Sequence, residues 1–137
     1  MSIKQEIFDK AYAAVMAQKH PALRTHYNTV VCTYRATNGR RCAIGHLLSD
    51  EQIEKYGIMK GAVIPQNFPI ELVNELTPGL YDAKYFLSRL QGAHDDAAFA
   101  DSSFEPTTGN AFTNAFHNNM KKLALLEGLN FPSTDTV

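Results

Sequence analysis

Two cysteines, Cys32 and Cys42, three arginines at positions 35, 40 and 41, and the run Gln91-Gly92-Ala93-His94-Asp95 are the residues of this 137-residue chain whose types could do chemistry. A catalytic thiolate needs an adjacent base, and zinc needs about four sulfur or imidazole ligands. The spacing favours neither, because the cysteines stand ten residues apart and neither a CxxC nor an HxxxH pattern occurs. Buried free cysteine behaves as a small hydrophobe, and both thiols are read that way, with no metal and no cofactor implied.

Gln91, His94 and Asp95 are tighter. On a helix, residues three and four apart are neighbours, so Gln91 meets both others beside an apolar stripe. Such a trio either presents an imidazole and a carboxylate to a ligand or satisfies buried backbone groups of a neighbouring element. Gly92 costs a helix roughly 1 kcal/mol against alanine, which suggests that backbone or ligand approaches closely there.

The arginines depend on how the chain turns between them. Val30, Val31, Thr33 and Tyr34 are strand formers, and Asn38-Gly39 is a strong turn signal. A two-residue turn would place Cys32 and Cys42 on opposite faces. A three-residue loop, Thr37-Asn38-Gly39 with Gly39 left-handed, pairs Ala36 with Arg40, Arg35 with Arg41 and Tyr34 with Cys42. The second register is preferred because it gathers Cys32, Tyr34, Cys42 and Ile44 on one apolar face. It also sets Arg35 opposite Arg41, an unfavourable pairing unless an anion or carboxylate sits between them. Guanidinium forks suit phosphate, while Asp50, Glu51 and Glu54 are acids close enough in sequence to neutralise them instead. Tyr34 beside Arg35 is placed to stack on a base; Tyr12, Tyr27, Tyr81 and Tyr85 read as core-edge residues.

The elements that must position these groups follow from periodicity and punctuation. Ser2 and Gln5 have capping-box spacing ahead of a helix to about Gln18, and His20-Pro21 opens a connector to Tyr27. Ser49 to Gln52 caps a second helix, Asp50 to Tyr56, stopped by Gly57. Residues 57 to 68 form a loop with room for a short strand at Ala62 to Ile64, and Pro69 starts a helix carrying Ile70, Val73 and Leu76. A central helix runs from about Leu80 to Phe99 and a last one from about Ala111 to Glu127, with a surface loop between them. The expectation is one compact α+β domain over residues 1–137, polar from about 133: an antiparallel hairpin, with room for a third strand, packed by about five helices.

Composition bounds the setting. With 45% hydrophobic residues, 13 basic against 14 acidic side chains and no apolar run near the roughly 20 residues of a membrane span, the chain reads as an ordinary soluble protein without a signal peptide. Net charge of -1 argues against a dedicated nucleic-acid partner, and unpaired cysteines fit a reducing cytoplasm.

Cys32-Thr33-Tyr34-Arg35, Gly39, Cys42-Ala43-Ile44-Gly45 and Leu90-Gln91-Gly92-Ala93-His94-Asp95 resemble a group of small proteins of tailed bacteriophages and prophages. Those proteins share a C-x-Y-R…G…C-A-x-G core and a later L-Q-x-x-H-D element. The resemblance implies a phage protein in the cytoplasm of an infected bacterium and carries no catalytic assignment. Together these readings favour a non-enzymatic accessory protein that counters host defence. Its partner would be a phosphate-bearing nucleotide signal or a host defence protein, bound by Tyr34, Arg35, Arg41, Gln91, His94 and Asp95. Self-association is compatible with the sequence. The alternatives are a small hydrolase or transferase using a cysteine with His94 and Asp95, and a nucleic-acid-binding accessory.

Overall fold

The computed structural model describes residues 2–26, 29–58, 64–80, 82–100 and 105–131. Its elements are α1 (Ile3–Gln18), β1 (Leu23–His26), β2 (Thr29–Cys32), α2 (Asp50–Tyr56), a 3-10 turn (Pro65–Asn67), α3 (Ile70–Leu76), α4 (Ala83–Ala98) and α5 (Gly109–Glu127). This is the expected α+β architecture, five helices with one two-stranded antiparallel sheet. Most of the strand expected at Ala62 to Ile64 lies outside the described residues, as do Tyr27, Tyr81 and the tail from Pro132.

Helix ends follow their local signals. Ser2 Oγ accepts the Gln5 N–H at 3.1 Å, and at α2 Ser49 and Gln52 satisfy one another's backbone amides at 3.1 and 2.9 Å. The Gln5 side chain does not close its own box. It accepts the Asn130 N–H and donates to the Asn130 carbonyl, both at 2.8 Å, joining α1 to the segment after α5.

α4 lies at the centre. Phe86, Leu87, Leu90, His94 and Ala97 have no solvent exposure, and they pack with Phe8, Ala11 and Val15 of α1 and Phe112, Phe116 and Met120 of α5 in one core. Each fully buried Leu or Phe contributes on the order of 1.5–3 kcal/mol, so this stripe rather than helix propensity orders the three long helices. Tyr12 stacks on Phe116 at 6.3 Å between ring centres, and its hydroxyl meets His117 Nδ1 at 2.8 Å. Tyr85, expected at a core edge, is instead 65% exposed.

The sheet corrects the expected pairing. Val30 and Val31 pair backward with Thr25 and Arg24 across the β1–β2 hairpin, not forward with the segment after Gly39. The Leu23–His26 stretch, read as connector, is therefore a strand. The Thr33 N–H continues the pairing to the Ala22 carbonyl at 3.0 Å. Forward pairing is confined to the tip: Arg35 and Arg41 form an isolated antiparallel bridge, flanked by Ala36 N–H to Arg40 carbonyl at 2.8 Å and Cys42 N–H to Tyr34 carbonyl at 3.2 Å. Gly39, at φ 88°, turns this tip in the left-handed region as expected.

After Cys42 the chain leaves extended geometry and coils, with His46 and Leu48 N–H groups reaching the Cys42 and Ile44 carbonyls. The coil fits because residue 45 has no side chain: a Cβ on Gly45 would lie 1.9 Å from the Tyr34 carbonyl oxygen. Close approach of backbone, not an unusual dihedral, calls for glycine here.

Candidate functional site

The residues singled out by sequence form two groups. Gln91, His94 and Asp95 gather on α4 around one carboxylate oxygen: Asp95 Oδ1 lies 2.8 Å from both Gln91 Nε2 and His94 Nδ1. Cys32 Sγ joins them from β2, so that Cys32, His94 and Asp95 place ligand-type atoms within 4.8 Å of one another. No periodicity could have shown this meeting, because 63 residues separate Cys32 from Asp95.

The hydrogen bonds of His94 decide what the group can do. The Ala22 N–H donates to His94 Nε2 at 3.2 Å, so that nitrogen carries the lone pair and Nδ1 carries the proton it gives to Asp95. A metal on Nδ1 would need Nε2 protonated, facing the Ala22 N–H donor to donor. A general base would need Nε2 free, and it is occupied inside a fully buried ring. Gln91 is similarly used, its Oε1 accepting the Ile44 N–H at 3.4 Å. Of the two arrangements open from sequence, the trio adopts the one that satisfies backbone: it pins α4 to the start of β1 and to the coil after Cys42.

Neither thiol is activated. Burial, followed by the Asp95 charge, pushes Cys32 far above the ordinary thiol range, and burial pushes Cys42 up to about 12. Both are thus held as thiols near neutrality. Iodoacetamide should modify Cys32 and Cys42 slowly in the native protein and rapidly after denaturation; fast native labelling of either, followed by mass spectrometry, would contradict the assigned environment.

Arg35 and Arg41 form the second group. Directly opposed residues of an antiparallel pair project on the same side with Cβ atoms roughly 4.5–5.5 Å apart. Arg35 Nη1 is ion-paired with Asp50, one of the acids expected to be available, and Nη2 donates to the Leu48 carbonyl at 2.5 Å. Its Nε is buried without a hydrogen-bond partner. Gln18 holds the Arg41 backbone from both sides, N–H to Oε1 and carbonyl to Nε2, each at 2.8 Å. Among the described residues the Arg41 guanidinium has no carboxylate within 4.0 Å.

His46 belongs with these cations, which sequence reading missed. Burial and the charges of Arg41, Arg35 and Lys10, with the neighbouring His94, lower it to about 4, and its Nε2 is buried without a partner. The only signal in the sequence was its position one residue after the C-A-x-G element.

Tyr34 alternates to the other face. Its half-buried ring tilts against Phe68 at 5.9 Å, on the core side with Cys42 rather than over the arginines. Gly92 has nothing within 4 Å of an added Cβ, so the close approach expected there is replaced by open space. It lines a cleft of about 290 Å³ between α4 and α5 with Arg89, Asp96, Asn119 and Lys122. Comparison of the chain with protein-family models, curated proteins and solved structures returns no match.

Proposed function

We propose that this chain is a non-enzymatic accessory protein that binds a phosphate-bearing ligand on its Arg35–Arg41 face and, following the resemblance to phage proteins, counters host defence by holding a phosphate-bearing nucleotide signal. The observation that carries the reading is the Arg35–Arg41 bridge, which keeps two guanidinium groups on one side of a ribbon. Opposed like charges are destabilising unless compensated. Asp50 compensates Arg35, and among the described residues no carboxylate compensates Arg41. Gln18 fixes the Arg41 backbone before any ligand arrives, which limits the ordering cost of binding.

A non-enzymatic reading is supported by the spent hydrogen bonds of His94 and the unactivated thiols. In this reading Gln91, His94 and Asp95 act at a distance, by holding the ribbon and the coil in place, and Tyr34 buttresses the ribbon from the core side.

Calorimetric titration with a panel of mononucleotides, cyclic nucleotides and ADP-ribose tests the proposal. Arg41→Ala should weaken binding of the best ligand about tenfold or more, the usual order for a charge-assisted hydrogen bond, without moving the thermal midpoint by more than a degree or two. If no phosphate-bearing compound binds, and phage carrying Arg41→Ala grow on defended hosts as well as the parent, the proposal is wrong.

A further inference from the structure

Resting on the anion-binding reading above, we infer that the seat comprises Arg35 Nε, the Arg41 guanidinium, His46 Nε2 and Lys10, and that it takes a terminal phosphomonoester rather than a phosphodiester. Two independent features point there. Arg35 Nε and His46 Nε2 are both buried with no hydrogen-bond partner, and buried polar atoms of that kind are rare enough in folded proteins to signal an absent water or ion. Both are nitrogens that can carry a proton to an anionic oxygen, and they come from two segments, the ribbon tip and the coil after Cys42.

The charge balance selects the anion. Arg35 is neutralised by Asp50. Arg41 and Lys10, the latter exposed on α1, have no carboxylate within 4.0 Å among the described residues. Two uncompensated positive charges match the dianion of a phosphomonoester, whose second ionisation lies near pH 6, better than the single charge of a diester. A monoester also offers three terminal oxygens, enough for the Arg35 Nε–H, the His46 Nε2–H and the Arg41 fork together.

His46 supplies a built-in reporter. The groups acting on it are Arg35 and Arg41 from the ribbon, Lys10 from α1 and His94 from α4, with Asp50 offsetting Arg35. Those cations hold its protonation down to about 4, and a dianion placed among them reverses the sign of the local field and brings that value back toward neutrality.

The test combines calorimetry with AMP, cyclic AMP and inorganic phosphate as probes and a pH titration of the His46 ring nitrogens by NMR, with and without saturating AMP. AMP is expected to bind about tenfold or more tighter than cyclic AMP, and to raise the His46 ring titration by at least one pH unit. Lys10→Met, at an exposed position that folding does not need, and His46→Phe should each weaken AMP about tenfold. If a probe binds in an Arg41-dependent way while the His46 ring and both variants behave as in the free parent protein, the seat is wrong and the accessory reading stands. If cyclic AMP binds as tightly as AMP, the monoester assignment is overturned. If no probe binds and the wider nucleotide panel is also silent, the anion-binding reading itself fails.

Discussion

Alanine at position 45 is expected to destabilise the protein by about 3 kcal/mol or more, the upper end of what overpacking costs, and to leave a large unfolded fraction at 37 °C. The added methyl carbon would stand 1.9 Å from the Tyr34 carbonyl oxygen, 2.9 Å from the Tyr34 carbonyl carbon and 3.2 Å from the Cys42 nitrogen. All three are backbone atoms, and the bond between the Tyr34 carbonyl and the Cys42 N–H is one of those that close the ribbon tip. The methyl cannot be accommodated by rotating a side chain; relief requires opening that bond. Urea denaturation of Gly45→Ala measures the loss. A control, Gly92→Ala, places the same methyl where nothing lies within 4 Å and should gain up to about 1 kcal/mol from helix propensity. Equal stability of the Gly45 variant and the parent would show that the ribbon and the coil do not meet as described.

The second large effect concerns His94. Truncation to alanine is expected to cost about 3–5 kcal/mol, as for other large side chains removed from a core, with the Ala22 N–H left buried and unpaired. His94→Phe separates the two contributions. It refills the space beside Phe112, whose ring sits edge-on at 5.6 Å, but provides no acceptor, and should cost about 1–3 kcal/mol. Chemical denaturation near neutral pH gives both values. A phenylalanine variant as stable as the parent would mean that the Ala22 bond contributes nothing.

What could be read from sequence divides by range. α2 was legible to the residue, because Ser49, Gln52 and Gly57 encode its ends locally. The ribbon register was legible for the same reason, since Asn38-Gly39 and the alternation around it determine which residues face each other. β1 was not. Leu23-Arg24-Thr25-His26 has no alternation to mark a strand, and its first neighbour, Ala22, is held by an imidazole 72 positions away. The same limit governed the site. Arg35 could be matched with Asp50 because they are close in the chain, but the Cys32–Asp95 meeting and the unpartnered Nε2 of His46 depend on how distant elements pack.

The Gln5–Asn130 pairing has a consequence for how the molecule comes apart. Two hydrogen bonds of 2.8 Å close a loop of 125 residues, nearly the whole described chain. Helix ends ordinarily fray first and admit proteases or solvent there. In this protein the first turn of α1 and the segment following α5 are clasped to each other, so neither opens without releasing the other. The clasp links distant parts of the chain as a disulfide would, and a reducing agent cannot undo it.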